Sequence, residues 1–419
     1  MPFVYFQTFG CQMNVADSDE LKRKLESRGF EETSCIADAD LIIVNTCTVR
    51  QNAENKALAR IKEFSKLKKP QCLLWVTGCM AQRMGDTLKD TIPGVSLVIG
   101  AKEIDNLDSI INEHLIHSSF YNQEHHRHSS VSDFITVMRG CNNYCAYCIV
   151  PYVRGDEHSI PALSILDTIR ARIDDGVKEI TLLGQNVNSY NDNGTDFADL
   201  IVKVSALDGL KRLRFTTSHP KDCSDKLIRT IAETPQCCSH FHLPVQAGAD
   251  RILSIMNRRY TAKDYLNRIG TIRRYIPHAD ITTDILVGFP TETDAEFNDT
   301  LSLVKQVRYT TAFMFAYSVR EGTAASRMTD DIPKQEKLDR LNRLIEVQTE
   351  ITKEIYDSMT GSAVEVMING RQDKREKFWM GQDNGCKRIL VAGEHFNNGD
   401  IIRCLVKRSS GMTLVCDTQ

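Results

Sequence analysis

Three times in its first eighty residues the chain runs through a short, β-branched apolar segment and ends it on a cysteine. VYFQTFGC closes on Cys11, LIIVNTC on Cys47 and LLWVTGC on Cys79. The intervals of 36 and 32 residues match a βαβ repeat, in which two parallel strands need a crossover helix between them. Helical stretches near Asp17 to Arg28 and near Asn52 to Leu67 fill the gaps, and SLVIG supplies a further strand. This alternation predicts a doubly wound parallel sheet. The carboxyl ends of its strands lie along one edge, where ligands bind. The pattern therefore brings Cys11, Cys47 and Cys79 together as a three-thiolate site, while Cys35, Cys72, Cys223, Cys237, Cys238, Cys386, Cys404 and Cys416 have no comparable arrangement and are expected to be structural.

A polar tract without period follows, rich in histidine at His114, His117, His125, His126 and His128, and residues 117–132 are expected to be a linker. From Asp133 the alternation resumes through FITVMRG, EITLLGQN, RLRFTTS, HFHLPVQ, DITTDILVGFP and AFMFAYSV. Six βα units predict an open, barrel-like parallel sheet, followed by a charged helix from Pro333 to Asp357. Beyond Ser358 short alternating strands, AVEVMI, RILVAG and DIIRCLVKR, are separated by Gly- and Asn-containing turns and predict a small β-barrel. The expected architecture is an α/β multidomain chain with a doubly wound domain over 1–116, the linker, a partial (βα)6 barrel over 133–357 and a small β-barrel over 358–419.

With 419 residues, 42% apolar and 26% charged, the composition excludes disorder as the main state. No stretch approaches the ~18 to 20 apolar residues of a membrane span, and MPFVYFQTFG lacks a basic-then-apolar signal. A cytoplasmic monomer with no membrane partner is expected. Fourteen cysteines in a reducing compartment point to metal or catalytic thiols rather than disulfides. The net charge of -3 argues against a uniformly basic coat. One local stripe stands out, with Arg251, Arg258, Arg259, Lys263, Arg268, Arg273 and Arg274 against the single acid Asp264; it offers phosphate contacts.

The sharpest local signal is MRGCNNYCAYCIVPYVRG, where Cys141, Cys145 and Cys148 follow a strand in C-x3-C-x2-C spacing. Three thiolates in one short loop can ligate three irons of a 4Fe-4S cubane and leave the fourth open to a small-molecule chelate. A structural zinc site takes four ligands, normally as separated C-x2-C pairs, and no matching pair stands nearby. Arg154 and Gly155 continue the loop and are expected to hold it to the next element.

Taken together, this loop, the aromatic Tyr147 before its third cysteine, the three-cysteine first domain, the six-unit barrel and the terminal β-barrel resemble the radical S-adenosylmethionine methylthiotransferases across essentially the whole chain. TFGCQMN, NTCTVR, LLGQNVNSY, RFTTSHP, HLPVQAGADRIL and DILVGFPTET are similar to the branch that acts on N6-isopentenyladenosine in tRNA. The resemblance implies two 4Fe-4S clusters, one on Cys141, Cys145 and Cys148 that binds S-adenosylmethionine, and one on Cys11, Cys47 and Cys79 that carries the sulfur. It implies methylthiolation at C2 of the adenine, an external electron donor and sulfur source, and a barrel mouth facing the sheet edge that bears Cys11, Cys47 and Cys79. The terminal barrel is then an RNA-binding TRAM domain, with Lys374, Arg375, Lys377, Phe378 and Trp379 placing cations beside rings suited to base stacking. Its own balance, nine basic against seven acidic residues from Ser358 onward, would not by itself identify an RNA binder.

Parallel barrels bind at the carboxyl ends of their strands, which makes Gln185, Asn188, Thr217, Ser218, Gln246 and Asp284 the expected cofactor contacts beside Tyr147. Two other branches of the family, acting on threonylcarbamoyl-adenosine in tRNA or on an aspartate of a ribosomal protein, share the same parts; Gln12 and Met13 after Cys11 favour the isopentenyl branch over the ribosomal one. A non-enzymatic iron-sulfur electron carrier would need fully ligated clusters, and two clusters each short of one ligand argue against it.

Overall fold

In the computed structural model, which describes residues 1–49, 51–115, 130–371, 378–393 and 395–418, the first repeats form one parallel sheet. Its strands are β1 (Phe3–Thr8), β2 (Glu31–Glu32), β3 (Leu41–Thr46), β4 (Leu73–Gly78) and β5 (Leu97–Gly100), in the order β2-β1-β3-β4-β5. Every pair is parallel, with Leu41 opposite both Val4 and Leu73. The strand order changes direction between β1 and β3, the place where doubly wound sheets bind ligands. Every residue of β3 is buried, as befits a strand covered on both faces. Ile42, Val44, Leu74 and Val76 pack against Ala57, Ile61 and Phe64 of the helix Gln51–Leu67. Leu41, Ile43 and Trp75 face the other way, toward Leu21 and Leu25 of the helix Gln12–Glu26 and Leu107 and Ile111 of Leu107–Leu115.

The described residues divide into two compact units. One comprises those within Met1–His128, Arg139–Asn142 and Cys148–His158, and the other those within Ser129–Met138, Asn143–Tyr147 and Ser159–Gln419. His117, His125, His126 and His128 of the expected linker lie outside the described residues, as do Lys374, Arg375 and Lys377.

Six strands of the second unit follow one another in chain order: β6 (Ser132–Thr136), β7 (Glu179–Leu183), β8 (Arg212–Thr216), β9 (His240–His242), β10 (Asp280–Val287) and β11 (Thr311–Ala316). They form two parallel three-stranded arrays, β6-β7-β8 and β9-β10-β11. The seam between them is closed by Leu213, whose N–H donates to Gln236 O at 2.8 Å and whose carbonyl accepts from Cys238 N at 2.9 Å. Helices cover the outside, and four of them begin on side-chain caps at Asp196, Ser224, Thr261 and Thr293; each satisfies an otherwise orphaned N–H. Ile180, Leu182, Leu213, Phe215, Phe241, Ile281 and Ile285 form the layer between strands and helices.

After the helix Lys334–Ser358 the chain closes a five-stranded barrel from β12 (Ala363–Arg371), β13 (Phe378–Gln382), β14 (Arg388–Ala392), β15 (Ile401–Ser409) and β16 (Thr413–Thr418), ordered β12-β13-β14-β16-β15. Closure leaves no strand edge open to pairing. Its core holds Val366, Ile368, Ile389, Val391, Val406 and Leu414 around Trp379. Trp379 is only 7% exposed, with its ring 5.8 Å from Phe396 and the Arg371 guanidinium 4.9 Å above it. It is a core side chain rather than the open stacking ring expected from the sequence, because the pleat of β13 turns it inward; Phe378 is half-buried.

Candidate metal centres and cofactor face

In the first unit each of the three cysteines follows a strand. Cys11 caps the helix Gln12–Glu26, Cys47 follows β3 directly, and Cys79 opens the helix Cys79–Met84 after β4. Gly10 adopts φ +134°, and a Cβ there would stand 2.5 Å from Asn14 Oδ1 and 2.9 Å from Cys47 Cβ. Only glycine lets the Cys11 turn approach Cys47 this closely. A buried amide pair fixes the same turn: Asn14 Nδ2 donates to Asn45 Oδ1 at 2.8 Å, and Asn45 Nδ2 donates back to Asn14 O at 2.9 Å. Burial pushes the Cys79 thiol up to about 11; neighbouring Cys47 and Cys11 add to this and Arg154 opposes it. The three thiols thus share one electrostatic neighbourhood.

Arg154 belongs to the same neighbourhood. It is buried, and its Nη2 donates to Asp17 Oδ2 at 3.0 Å. Burial works against its charge, but Asp17, Cys79 and Cys11 outweigh that and hold it protonated. Asp17 also accepts from Arg139 Nη1 at 2.5 Å, and Arg139 reaches Glu20 at 3.1 Å and Asp105 at 2.9 Å. The two residues bracketing the C-x3-C-x2-C loop are therefore clamped to the helix Gln12–Glu26. Cys141 N donates to Gly155 O at 3.2 Å, so Gly155 closes the loop, while Arg154 anchors it to the helix Gln12–Glu26 rather than to the next element expected from the sequence. Gly140 makes the approach possible, since at φ +77° a Cβ would fall 2.0 Å from Asp156 O.

In the second unit Cys145 is buried against Arg258, whose Nη1 donates to Cys145 Sγ at 3.3 Å. The same guanidinium donates through Nη2 to Pro244 O at 2.6 Å and through Nε to Tyr260 Oη at 2.9 Å, and lies 3.5 Å from the Tyr147 hydroxyl. Asn257 Nδ2 holds the carbonyls of Asn143 and Tyr144, each at 3.0 Å, and Ala146 N donates to Met256 O at 3.0 Å.

This corrects the expected basic stripe. Arg258 is 4% exposed and serves the cysteine loop. Arg251 is engaged by Glu296 at 2.6 Å, Arg268 by Asp225, and Arg273 donates to Val307 O. Arg259, Lys263 and Arg274 remain exposed. Counting charge along the chain missed the carboxylates that folding brings from other helices.

The expected cofactor contacts lie largely where the strands end. Gln185 and Asn188 follow β7, Thr217 and Ser218 follow β8, and Gln246 follows β9. Asp284 instead sits in the middle of β10, with its Oδ2 3.7 Å from His242 Nε2. Ser218 Oγ donates to Asn188 Oδ1 at 3.0 Å, and Gln246, buried and held at φ +73°, donates from its backbone to Asp284 O at 2.9 Å. Gln185 Oε1 and Asn188 Nδ2 are buried without a hydrogen-bond partner, as is Nε2 of His219. His219 was not anticipated, although it stands inside RFTTSHP. Its Nδ1 accepts from Lys221 N at 3.3 Å, leaving Nε2 as the donor. Desolvation first, and then Arg258, press its pKa down to about 2, so the ring is neutral. These three partnerless atoms beyond the strand ends leave polar valences that a polar ligand or ordered water can take.

Among the described residues no three of His, Cys, Asp or Glu converge tightly enough to hold a single metal ion; thiolates that each bind a different iron of a cluster do not need such convergence. Each three-cysteine set also has a buried arginine beside one of its thiols, Arg154 at Cys79 and Arg258 at Cys145. Soft thiolate donors next to buried positive charge fit an anionic iron-sulfur cluster. The remaining cysteines behave as structural residues: the fourteen form no disulfide, and burial raises Cys223, Cys237, Cys238 and Cys416 to about 12. Cys35 is exposed, and Cys386 accepts from Arg214 Nη1 at 2.9 Å.

Comparison with known proteins identifies the two cysteine-bearing regions. Residues 3–100 match the Uncharacterized protein family UPF0004 and residues 135–304 the Radical SAM superfamily. A tRNA-2-methylthio-N(6)-dimethylallyladenosine synthase from Clostridium botulinum (strain Loch Maree / Type A3) is 41% identical, over 98% of this chain and 95% of the relative. The protein of the same name from Geobacter metallireducens is 42% identical, over 97% of this chain and 96% of its own length. Among solved structures, the radical S-adenosylmethionine methyltransferase TsrM from Kitasatospora setae superposes with a TM-score of 0.59 at 15% identity, covering 78% of this chain and 77% of that one; this likeness concerns the fold alone. The chain belongs to the radical S-adenosylmethionine family of tRNA-2-methylthio-N(6)-dimethylallyladenosine synthases.

Proposed function

We propose that the chain transfers a methylthio group to C2 of N6-isopentenyladenosine (dimethylallyladenosine) next to the anticodon of tRNA. The observation that carries this is the pair of three-cysteine sets, each beside a buried arginine, in a chain more than 40% identical to synthases named for that product along nearly its whole length. Cys141, Cys145 and Cys148 would hold the 4Fe-4S cluster that binds S-adenosylmethionine, and Cys11, Cys47 and Cys79 the second cluster. When bound, these groups supply the one-electron chemistry that opens an unactivated aromatic C–H bond and the iron site that carries sulfur, neither of which acid-base side chains provide.

The chain's own residues bind and orient. Gly140 and Gly155 close the cysteine loop, and Arg139 and Arg154 hold its two ends on Asp17. Gln185, Asn188, Thr217, Ser218, Gln246, Asp284 and Tyr147 are the proposed contacts to S-adenosylmethionine. The partnerless atoms of Gln185 and Asn188, with His219 Nε2 added as a neutral donor, support that assignment.

The proposed domains are a cluster-bearing domain over 1–116, a linker over 117–132, the radical S-adenosylmethionine domain over 133–357 and a TRAM domain over 358–419. No described helix is long and apolar enough to cross a membrane. A cytoplasmic monomer that draws on an external reductant and sulfur source is the working assignment.

Nucleoside mass spectrometry is the test. Isopentenylated tRNA is incubated anaerobically with cluster-reconstituted protein, S-adenosylmethionine, a sulfur source and a strong reductant, and a methylthio gain on isopentenyladenosine is expected. Cys145→Ala should abolish reductive cleavage of S-adenosylmethionine while the second site still loads iron. Cys47→Ala should keep cleavage and lose sulfur insertion. 5'-Deoxyadenosine without modified nucleoside would retain the radical chemistry and overturn the substrate.

A further inference from the structure

We infer that Arg258 is a positioning residue for the cluster-binding loop, its guanidinium the built-in countercharge of the anionic iron-sulfur group at Cys145. The inference rests on the reading of Cys141, Cys145 and Cys148 as cluster ligands. Burying a guanidinium is costly unless an anion compensates it, and the other buried arginines among the described residues obey that rule. Arg139 and Arg154 pair with Asp17, Arg212 with Glu365, Arg214 with Glu179 and Arg340 with Glu292. Arg258 is the exception: among the described residues no carboxylate pairs with it. Its hydrogen bonds go to the Pro244 carbonyl, the Tyr260 and Tyr147 hydroxyls and Cys145 Sγ. Of these acceptors only Cys145 becomes an anion when it ligates iron.

The surrounding backbone is built to keep that contact. Tyr144, Asn257 and Arg259 all sit at left-handed φ, 48°, 59° and 59°, conformations that persist only where the surroundings enforce them. Asn257 and Met256 tie this segment to the cysteine loop on either side of Cys145, and Ala325 N donates to Ala146 O at 2.7 Å. Arg258 is thus held from both flanks against one sulfur. A cubane on three thiolates is anionic, and one charge more so when reduced. A fixed cation and an N–H···S bond at a ligand sulfur therefore favour the reduced form, and hydrogen bonding to sulfur is an established lever on cluster potential.

The test uses the full-length chain with Cys11, Cys47 and Cys79 all changed to Ala, so that a single cluster reports. Into this parent go Arg258→Met, which removes the charge at similar bulk, and Arg258→Lys, which keeps it. After reconstitution, iron and sulfide content, circular dichroism and an EPR-followed redox titration are measured. At the parent's midpoint poise Arg258→Met is expected to hold about tenfold less reduced cluster relative to oxidised, the effect of one nearby charge on an equilibrium, equal to about 59 mV for one electron. Arg258→Lys should recover most of it. If Arg258→Met folds but takes up no iron while Arg258→Lys does, the countercharge is likewise upheld. A parent-like midpoint in Arg258→Met, equal shifts in both variants, or equal iron loss in both would overturn the role of charge. A parent that binds no iron at the loop would instead overturn the ligand reading beneath it.

Discussion

His219 shows how one side chain ties the site to stability. The ring is 5% exposed and its pKa is pressed from near 6.5 to about 2 by burial and by Arg258. In the unfolded chain the same imidazole takes up a proton near pH 6.5, whereas the folded protein refuses it. Stability contributed by the neutral ring is therefore intact above pH 6.5 and is lost as pH falls, by up to about 1.4 kcal/mol per pH unit. His240, lowered to about 3 by burial and by His242, adds a second arm of the same sign. His219→Asn keeps an acceptor for Lys221 N and should roughly halve the slope of unfolding free energy between pH 6.5 and 4.5. Urea midpoints at three pH values across that window measure it, and an unchanged slope would show that the proton is taken up elsewhere.

At the level of elements, Arg212 and Arg214 join β8 to the terminal barrel inside the second unit. Arg212 Nη1 donates to Gln382 O at 2.7 Å and Nη2 to Glu365 O at 3.2 Å; Arg214 reaches Asp383 O at 2.6 Å and Asn384 O at 3.0 Å. Replacing Arg212 by Met leaves carbonyls without donors, at about 1–3 kcal/mol for each buried group. A loss of about 2–4 kcal/mol by chemical denaturation is expected, with earliest proteolytic cleavage near residues 358–362; cleavage and midpoint matching the wild type would mean the barrel is held by other contacts. RLRFTTS was legible as a strand because its apolar positions alternate, but nothing in it revealed that Arg212 and Arg214 point at another domain. The strands before Cys47 and Cys79 were legible because burial on both faces demands continuous apolar runs, and the one before Cys11 because VYF is β-branched and aromatic, although Val4 is its one buried residue. β13 and β16 were not, since FWMGQ and TLVCDT are short and broken by polar residues, and two-residue β2 carries no pattern. Arg258 and Trp379 were misread for a shared reason. Composition identifies a cation or a ring, while the direction it faces is set by strand register, as at Trp379, or by a partner far along the chain, as at Arg258 beside Cys145.

Across the whole molecule, 52 basic residues stand against 55 acidic, so any grip on RNA must come from local cations. Folding removes Arg258 from the sequence-level stripe and engages Arg251, Arg268 and Arg273. Arg259, Lys263 and Arg274 stay exposed, and Lys374, Arg375 and Lys377 lie outside the described residues. Each phosphate neutralised releases counterions, with a slope in log K against log salt of about 0.7 to 0.9 per contact. Phosphate contact through the three exposed cations of this stripe alone predicts a modest dependence, a slope of about -2 to -3 for isopentenylated tRNA, well short of a densely basic nucleic-acid binder. Lys263→Glu with Arg274→Glu should weaken binding and reduce the slope by roughly one to two, leaving S-adenosylmethionine cleavage without tRNA unchanged. Filter binding from 50 to 300 mM salt decides between two surfaces. A slope reduced by the double variant places phosphates along the helix Ala262–Tyr275, whereas a normal slope in that variant assigns the phosphate contacts to other cations of the chain, with the terminal barrel next to be mutated.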